Sequence, residues 1–165
     1  MKQINIGVIG TGWCGGIRTE TARNNPLVKD IHISETNEIR LKEMADKIGA
    51  KTATTDYKEL LKIDDIDAII ISATPETTHF PMARDALIAG KHVFLEKPIA
   101  IALEEADELI ALAKQKKLKF TIGYSQRFNP KFAYVKKAIK DGMIGSPVSI
   151  LVSRHITRSL GKKIV

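Results

Sequence analysis

Cysteine is almost absent from this sequence, since Cys14 is the only one among 165 residues. A single cysteine excludes an internal disulfide and a Cys-x-x-Cys metal site, so we expect no metal centre and a reducing compartment. Long apolar runs are also lacking, because no stretch approaches the ~18 residues needed to cross a bilayer. The first ten residues carry no small-residue cleavage site and are typical of a strand rather than a secretory signal. We therefore expect a cytoplasmic protein.

Acidic residues are missing from the segment 114–140, which supplies much of the net charge of +7. The basic residues of this segment are Lys114, Lys116, Lys117, Lys119, Arg127, Lys131, Lys136, Lys137 and Lys140. Such a stripe could face phosphates, but no nucleic-acid recognition motif accompanies it. The first of these lysines end a predicted helix, where cations complement the helix dipole. We therefore expect no nucleic-acid partner.

Apolar periodicity predicts a regular alternation of strands and helices. Strands are predicted at 4–9, 28–34, 51–54, 67–73, 91–95 and 119–122. Helices are predicted at 13–24, 38–48, 57–61, 79–89 and about 103–113. This alternation is typical of right-handed βαβ units, and it predicts an α/β fold with a doubly wound parallel sheet.

The alternation uses up residues 1–122, which we interpret as one complete domain. Residues 123–130 follow as a linker with turn residues, 131–140 as a helix and 147–155 as a β-like stretch. We interpret 123–165 as the truncated start of a second, α+β domain, because it is too short to form a core of its own.

A glycine-rich pattern, Gly10-Thr-Gly-Trp-Cys-Gly15, lies directly after the first strand and at the start of a helix. Gly10 allows a tight turn, Gly12 lets the backbone approach a pyrophosphate, and Gly15 lets helix and strand pack closely. Phosphates would bind the free N–H groups at the helix N-terminus. The intervening residues would contribute their backbone N–H groups, and a reactive thiol is the less favoured alternative for one of them. These residues are Thr11, Trp13 and Cys14.

An acidic residue stands at the end of the second strand, 20 residues beyond Gly15. The carboxylate of Glu35 can accept hydrogen bonds from ribose hydroxyls and would repel a 2′-phosphate, so it favours NAD over NADP. Arg40 is near in sequence, but the helical pattern predicts that it lies at least a turn away. The alternative for Glu35 is a solvated glutamate at a strand end.

Three further segments complete a recognisable pattern: Ala73-Thr-Pro-Glu-Thr-Thr-His79, Ala89-Gly-Lys-His-Val-Phe-Leu-Glu-Lys-Pro98 and Gly123-Tyr-Ser-Gln-Arg-Phe-Asn-Pro130. With the glycine loop, they resemble the glucose–fructose oxidoreductase / inositol dehydrogenase / rhizopine-catabolism (Gfo/Idh/MocA) family. The resemblance implies an NAD(P)-dependent oxidoreductase that transfers a hydride between a nicotinamide cofactor and a secondary alcohol of a sugar or polyol.

The resemblance also implies roles for residues of the Glu-Lys-Pro element. It places Lys97 at the nicotinamide end of the cofactor, where it takes part in proton transfer, and Glu96 beside the nicotinamide ribose. This agrees with the chemistry, because oxidation of an alcohol requires a base for the hydroxyl proton.

Other implied cofactor neighbours lie in the flanking loops. Thr74 and Pro75 would pass the ribose and pyrophosphate, although Glu76 stands where many members have Asn. His79 would serve either as a local turn or cap residue or as a cofactor contact. Arg127 would approach the cofactor, and its alternative is a place in the basic surface.

Family members continue well beyond this length with an open antiparallel sheet that carries the substrate pocket and an Asp/His pair. We therefore expect this chain to lack most of the substrate domain. The alternatives are a non-catalytic NAD(H)-binding or regulatory module and an inactive fragment. Since residues 147–155 would have no partner strand, we expect a homo-oligomer formed through that segment.

Overall fold

The computed structural model describes residues 2–153 and 155. Its backbone contacts divide the chain into two compact units, Met1–Tyr124 and Ser125–Val165. The first unit carries the sheet, and each unit is described separately below. No helix among the described residues is both long enough and apolar enough to span a bilayer.

Six parallel strands form the sheet of the first unit, in the order β3-β2-β1-β4-β5-β6. Their bounds are β1 Ile4–Ile9, β2 Val28–Ser34, β3 Thr52–Thr54, β4 Ala68–Ile71, β5 His92–Leu95 and β6 Phe120–Ile122. The order reverses between β1 and β4, which is where ligands bind in doubly wound sheets. The predicted doubly wound parallel fold is confirmed.

Helices follow the strands, and local sequence explains where several of them begin and end. Their bounds are α1 Trp13–Arg23, α2 Glu38–Ile48, α3 Tyr57–Leu61, α4 His79–Ile88 and α5 Leu103–Gln115. The Asn37 side chain caps α2 by accepting from the Arg40 N–H at 3.0 Å, and Gly49 ends this helix in the left-handed conformation. Asp56 caps α3 in the same way, through the N–H of Lys58 at 2.8 Å.

Two apolar clusters cover the two faces of the sheet. Successive residues of a strand point to opposite faces, so Val8 and Ile9 belong to different clusters. The larger cluster packs strands β4 and β5 against α4 and α5, and the smaller packs β1 and β2 against α1 and α2. Burial on both faces is typical of parallel sheets, and it leaves the carboxyl edge of the strands as the place for polar chemistry.

The second unit begins with a 3-10 turn, Ser125–Phe128, followed by α6, Pro130–Lys140. The Asn129 side chain caps α6 by accepting from the Lys131 N–H at 3.0 Å, and Pro130 occupies the first helical position. Beyond α6, the described residues 147–153 and 155 contain no strand. The β-like stretch expected at 147–155 is therefore not a strand in its described residues, because a strand requires pairing and the described pairings join only β1 to β6.

Candidate functional site

At two positions of the loop between β1 and α1, the fold leaves no room for any residue but glycine. Gly10 has a φ of 83°, and a Cβ atom there would lie 2.8 Å from the Ala73 backbone. A Cβ atom at Gly15 would collide with the carbonyl oxygen of Gly10. These positions bring the start of α1 against the ends of β1 and β4.

At Gly12, the third glycine of the loop, the fold does leave room for a side chain. The nearest atom to a Cβ built at Gly12 is Nη1 of Arg40, at an ordinary contact distance of 3.7 Å. No side chain caps α1 at this residue, so its first N–H groups remain available to a ligand. Nearby, Ser72 has a buried hydroxyl that makes no hydrogen bond within the described residues, and its Cβ lies 3.3 Å from the Cβ position of Gly15. The loop therefore forms an open cradle of N–H donors that fits a pyrophosphate.

Glu35 lies at the end of β2, buried against the glycine loop. Its Oε2 accepts from the Thr11 N–H at 2.8 Å and from the Thr11 hydroxyl at 3.2 Å, and its Oε1 accepts from the Asn37 N–H at 3.1 Å. Burial opposes ionisation, but the N–H groups of Asn37 and Thr11, together with Arg40, lower the pKa of Glu35 below its usual range. An ionised carboxylate therefore stands directly beside the loop.

Arg40 lies closer to Glu35 than its sequence position suggested. Its Nε is 3.2 Å from Oε2 of Glu35, so the prediction of a separation of at least one helical turn is wrong. The reason is geometric: Arg40 is in the first turn of α2, and long helical side chains lean toward the N-terminus, here toward the end of β2. The guanidinium therefore borders both Glu35 and Gly12.

The turns after β4 and β5 carry the other predicted cofactor neighbours. Thr74 and Pro75 follow β4 and are exposed, and Lys97 follows β5 and is also exposed. Both turns contain a cis proline bond, Thr74–Pro75 and Lys97–Pro98. These residues all lie at the carboxyl edge of the sheet, on the β4 side of the switch point.

His79 connects the two turns. It is 1% exposed, with Nδ1 2.7 Å from the carbonyl oxygen of Pro98 and Nε2 3.1 Å from that of Ala73. The helix cap at this position is Thr78, and no side chain caps α4. His79 thus makes a tertiary contact between the two turns, and its contact with a cofactor stays a prediction.

Glu96 and Arg18 form a second contact that sequence reasoning missed. Nε of Arg18 donates to Oε2 of Glu96 at 2.9 Å, and its Nη2 donates to the same oxygen. The guanidinium also lies over the ring of Phe94, 4.7 Å from its centroid. No spacing in the sequence signals a pair separated by 78 residues.

The remaining predicted cofactor neighbours are Trp13, Cys14 and Arg127. Trp13 and Cys14 are exposed on the first turn of α1. Arg127 is an exposed residue of the second unit, in the 3-10 turn, and its approach to a cofactor stays a prediction. Among the described residues, no group of three His, Cys, Asp or Glu side chains is arranged to bind a metal ion.

The strand order and the glycine loop define a dinucleotide-binding domain of the Rossmann type. Residues 4–124 match the GFO_IDH_MocA family model, described as an oxidoreductase family with an NAD-binding Rossmann fold. The chain belongs to this family, as its sequence segments predicted.

Relatives of the chain are dehydrogenases and oxidoreductases of about twice its length. The myo-inositol 2-dehydrogenase of Thermotoga maritima is 34% identical over 147 residues, which are 87% of this chain and 43% of that protein. The uncharacterized oxidoreductase YrbE of Bacillus subtilis is 36% identical over 146 residues, 88% of this chain and 42% of that protein. A crystal structure of scyllo-inositol dehydrogenase from Lactobacillus casei with bound NAD(H) and scyllo-inositol superposes with a TM-score of 0.81 at 30% identity. It matches 87% of this chain and 43% of its own. The chain thus spans about two fifths of the length of these relatives.

Proposed function

We propose that this chain is the nicotinamide-dinucleotide-binding part of a dehydrogenase that acts on a secondary alcohol of a sugar or polyol. The observation that carries the proposal is the open cradle at Gly12, where the protein itself has room for a side chain that the sequence does not supply. A loop glycine that the fold itself does not require is explained by the close approach of the protein backbone to a ligand, here a pyrophosphate. The orphaned hydroxyl of Ser72 beside the cradle supports the same assignment.

The two halves of the sheet would divide the cofactor between them. The adenosine ribose would lie beside Glu35, at the end of β2, and the pyrophosphate on the N-terminus of α1. The nicotinamide half would then extend over the ends of β4 and β5, toward Thr74 and Lys97. This direction follows from the position of the switch point between β1 and β4.

The Glu-Lys-Pro element supplies the acid–base part of the proposed reaction. The nicotinamide ring, when bound, supplies the acceptor for the hydride of the alcohol. Lys97 would accept the hydroxyl proton at Nζ, since it extends from the end of β5 at the same edge of the sheet. Glu96 would accept a hydrogen bond from the nicotinamide ribose at Oε1, because Oε2 already receives both donors of Arg18.

The same site favours NAD over NADP. The buried, ionised carboxylate of Glu35 would accept the ribose hydroxyls and repel a 2′-phosphate. Arg40 opposes this preference, because its guanidinium borders the same corner and can bind phosphate. The net preference is for NAD because Glu35 is the more buried and the better hydrogen-bonded of the two.

The substrate would be bound mainly outside this chain. Two of the relatives named above are inositol dehydrogenases, and more than half of the length of all three has no counterpart here. We propose that the residues that enclose the substrate belong to that remaining length. The exposed apolar residues of the segment 148–152 would join this chain either to such a partner region or to a second copy of itself.

A titration with NADH tests the proposal directly. Trp13 is the only tryptophan, is 64% exposed and lies on the cradle, so energy transfer from its indole to bound NADH reports occupancy. We expect saturable binding in the wild type. In Gly12→Ala we expect at least about a tenfold weaker affinity, because the new methyl group blocks the pyrophosphate.

The fold provides the control for this experiment. The nearest atom to the added methyl group is 3.7 Å away, so the thermal unfolding midpoint of Gly12→Ala should stay close to that of the wild type. If the wild type does not bind NADH, or if Gly12→Ala binds it equally well, the proposal is refuted.

A further inference from the structure

A partly buried ion pair lies at the end of β5, beside the residues assigned above to the nicotinamide half. The side chains of Arg18 and Glu96 are 24% and 13% exposed. Both donors of Arg18 go to Oε2 of Glu96, and within the described residues Oε1 makes no hydrogen bond. The ring of Phe94 packs against the guanidinium and makes a cation–π contact with it.

The absence of a side chain at Gly123, just after β6, makes room for this ion pair. A Cβ atom at Gly123 would come within 2.9 Å of both Nη2 of Arg18 and Oε2 of Glu96. Three elements, α1, β5 and the end of β6, therefore converge on one pair of opposite charges. None of these contacts involves a residue of the glycine loop 10–15.

We propose that Arg18 sets the preference of this site between oxidised and reduced nicotinamide cofactor, by neutralising the carboxylate of Glu96 next to the nicotinamide ring. The inference rests on the proposed function, because it requires the nicotinamide half to lie over the ends of β4 and β5. Arg18 acts here as a specificity-determining residue through its charge.

The two forms of the cofactor differ in charge. The oxidised nicotinamide ring carries one positive charge and the reduced ring carries none. A neutral Arg18–Glu96 pair treats the two rings alike, whereas an isolated carboxylate attracts the oxidised ring and an isolated guanidinium repels it.

The experiment compares the dissociation constants of NAD⁺ and NADH in four proteins: the wild type, Arg18→Met, Arg18→Lys and Glu96→Gln. Methionine keeps an apolar stem over Phe94 but removes the charge, and lysine restores the charge. We expect the ratio of the NAD⁺ to the NADH constant to fall about three- to tenfold in Arg18→Met and to rise by a similar factor in Glu96→Gln, at low salt. Arg18→Lys should stay near the wild-type ratio.

ADP-ribose, which lacks the nicotinamide ring, separates this inference from the proposed function. A wild type that binds neither ADP-ribose nor NADH overturns the proposed function and the inference with it. Binding of both, with ratios that are unchanged or move in the same direction in Arg18→Met and Glu96→Gln, overturns the inference alone. If Arg18→Met loses ADP-ribose binding through misfolding, Glu96→Gln decides: a raised ratio supports the inference and an unchanged ratio overturns it.

Discussion

Arg40 and Glu35 form an ion pair across the corner between β2 and α2, with Nε 3.2 Å from Oε2. The pair places charges of both signs at the position proposed for the adenosine ribose. The side chain of Glu35 is 7% exposed and that of Arg40 is 47% exposed, so the arginine is the partner that is free to turn toward solvent or ligand. We therefore expect the choice between NAD and NADP to depend on the balance between these two residues.

Substitution of either partner should shift cofactor choice in a defined direction. Glu35→Gln keeps an acceptor for the Thr11 N–H but removes the charge, so we expect the preference for NADH over NADPH to shrink about tenfold. Arg40→Met should weaken NADPH binding about tenfold and leave NADH binding within about twofold. Titrations followed through Trp13 measure both. Lys42→Met, an exposed change on the same helix, is the control for general loss of positive charge.

Equal preferences in Glu35→Gln and the wild type would show that another residue controls the choice of cofactor. An Arg40→Met variant that loses both cofactors equally would show that the arginine supports the glycine loop instead.

Glu35 should also make stability depend on pH. Its pKa is lowered below 4.5 because hydrogen bonds from Asn37 and Thr11, with Arg40, outweigh the opposing effect of burial. A carboxyl with a lowered pKa stabilises the fold above its unfolded pKa, and this contribution is lost as the pH falls through the lower folded value. The difference in free energy of unfolding between the wild type and Glu35→Gln should thus be greatest above about pH 4.5 and should fade on acidification.

Urea unfolding at a series of pH values measures this difference. Glu43→Gln, an exposed glutamate substitution on α2, is the matched control. A difference between the wild type and Glu35→Gln that stays constant on acidification would contradict the assignment.

His79 should contribute strongly to stability, because it joins the turns after β4 and β5. His79→Ala leaves the carbonyl oxygens of Ala73 and Pro98 without this partner and opens a cavity at a fully buried position. We expect a loss of about 2–4 kcal/mol in the free energy of unfolding. Thr77→Ala, an exposed change in the 3-10 turn Glu76–Thr78 that precedes α4, should cost less than about 0.5 kcal/mol. Similar losses of unfolding free energy for the two substitutions would mean that the contacts of His79 with Ala73 and Pro98 are not formed in solution.

Elements bounded by local signals could be predicted from the sequence. The bounds of β1, β2, α2 and α3 agree with those expected, because apolar periodicity and flanking Gly, Asn or Asp residues determine them within a few residues. The doubly wound parallel sheet follows from the βαβ pattern, since crossovers are right-handed. The glycine loop and Glu35 meet because both stand at the carboxyl ends of neighbouring strands.

Side-chain contacts between distant segments could not be predicted in the same way. Arg18 and Glu96 are 78 residues apart, and His79 reaches across 19 residues to Pro98. Rotamers and packing decide such contacts, and no periodicity encodes them. The strand expected at 147–155 failed for a related reason, since alternation predicts a strand only where another strand lies beside it.

The isolated chain should not turn over sugars or polyols. Lys97 is present, but it is exposed at the edge of the sheet, and the chain spans about two fifths of its relatives. Without walls to orient the alcohol, the large rate gain from positioning is lost. A screen of inositols and hexoses that follows the absorbance of reduced cofactor should stay flat. Sustained turnover that disappears in Lys97→Ala would show instead that a complete small enzyme is present.

The segment 147–153 should drive self-association. It lies outside any strand, and its apolar side chains are almost fully exposed, with Val148 at 99% and Leu151 at 96%. An extended apolar segment with unpaired backbone groups recruits another strand. A second copy of the same segment gives the simplest closed, two-fold arrangement. Light scattering should therefore show a dimer or larger species for the full chain and a monomer for a version that ends at Tyr124.

A charged variant separates this pairing from other effects of truncation. Val148→Asp combined with Leu151→Asp leaves the first unit unchanged but places like charges on both copies of the segment, so association should be lost while NADH binding is kept. If the full chain and the charged variant are both monomers, the segment does not pair with itself. In that case we expect the exposed apolar side chains to pack against a region equivalent to the remaining length of the relatives. A polypeptide that contains this region should then bind the full chain and fail to bind the charged variant.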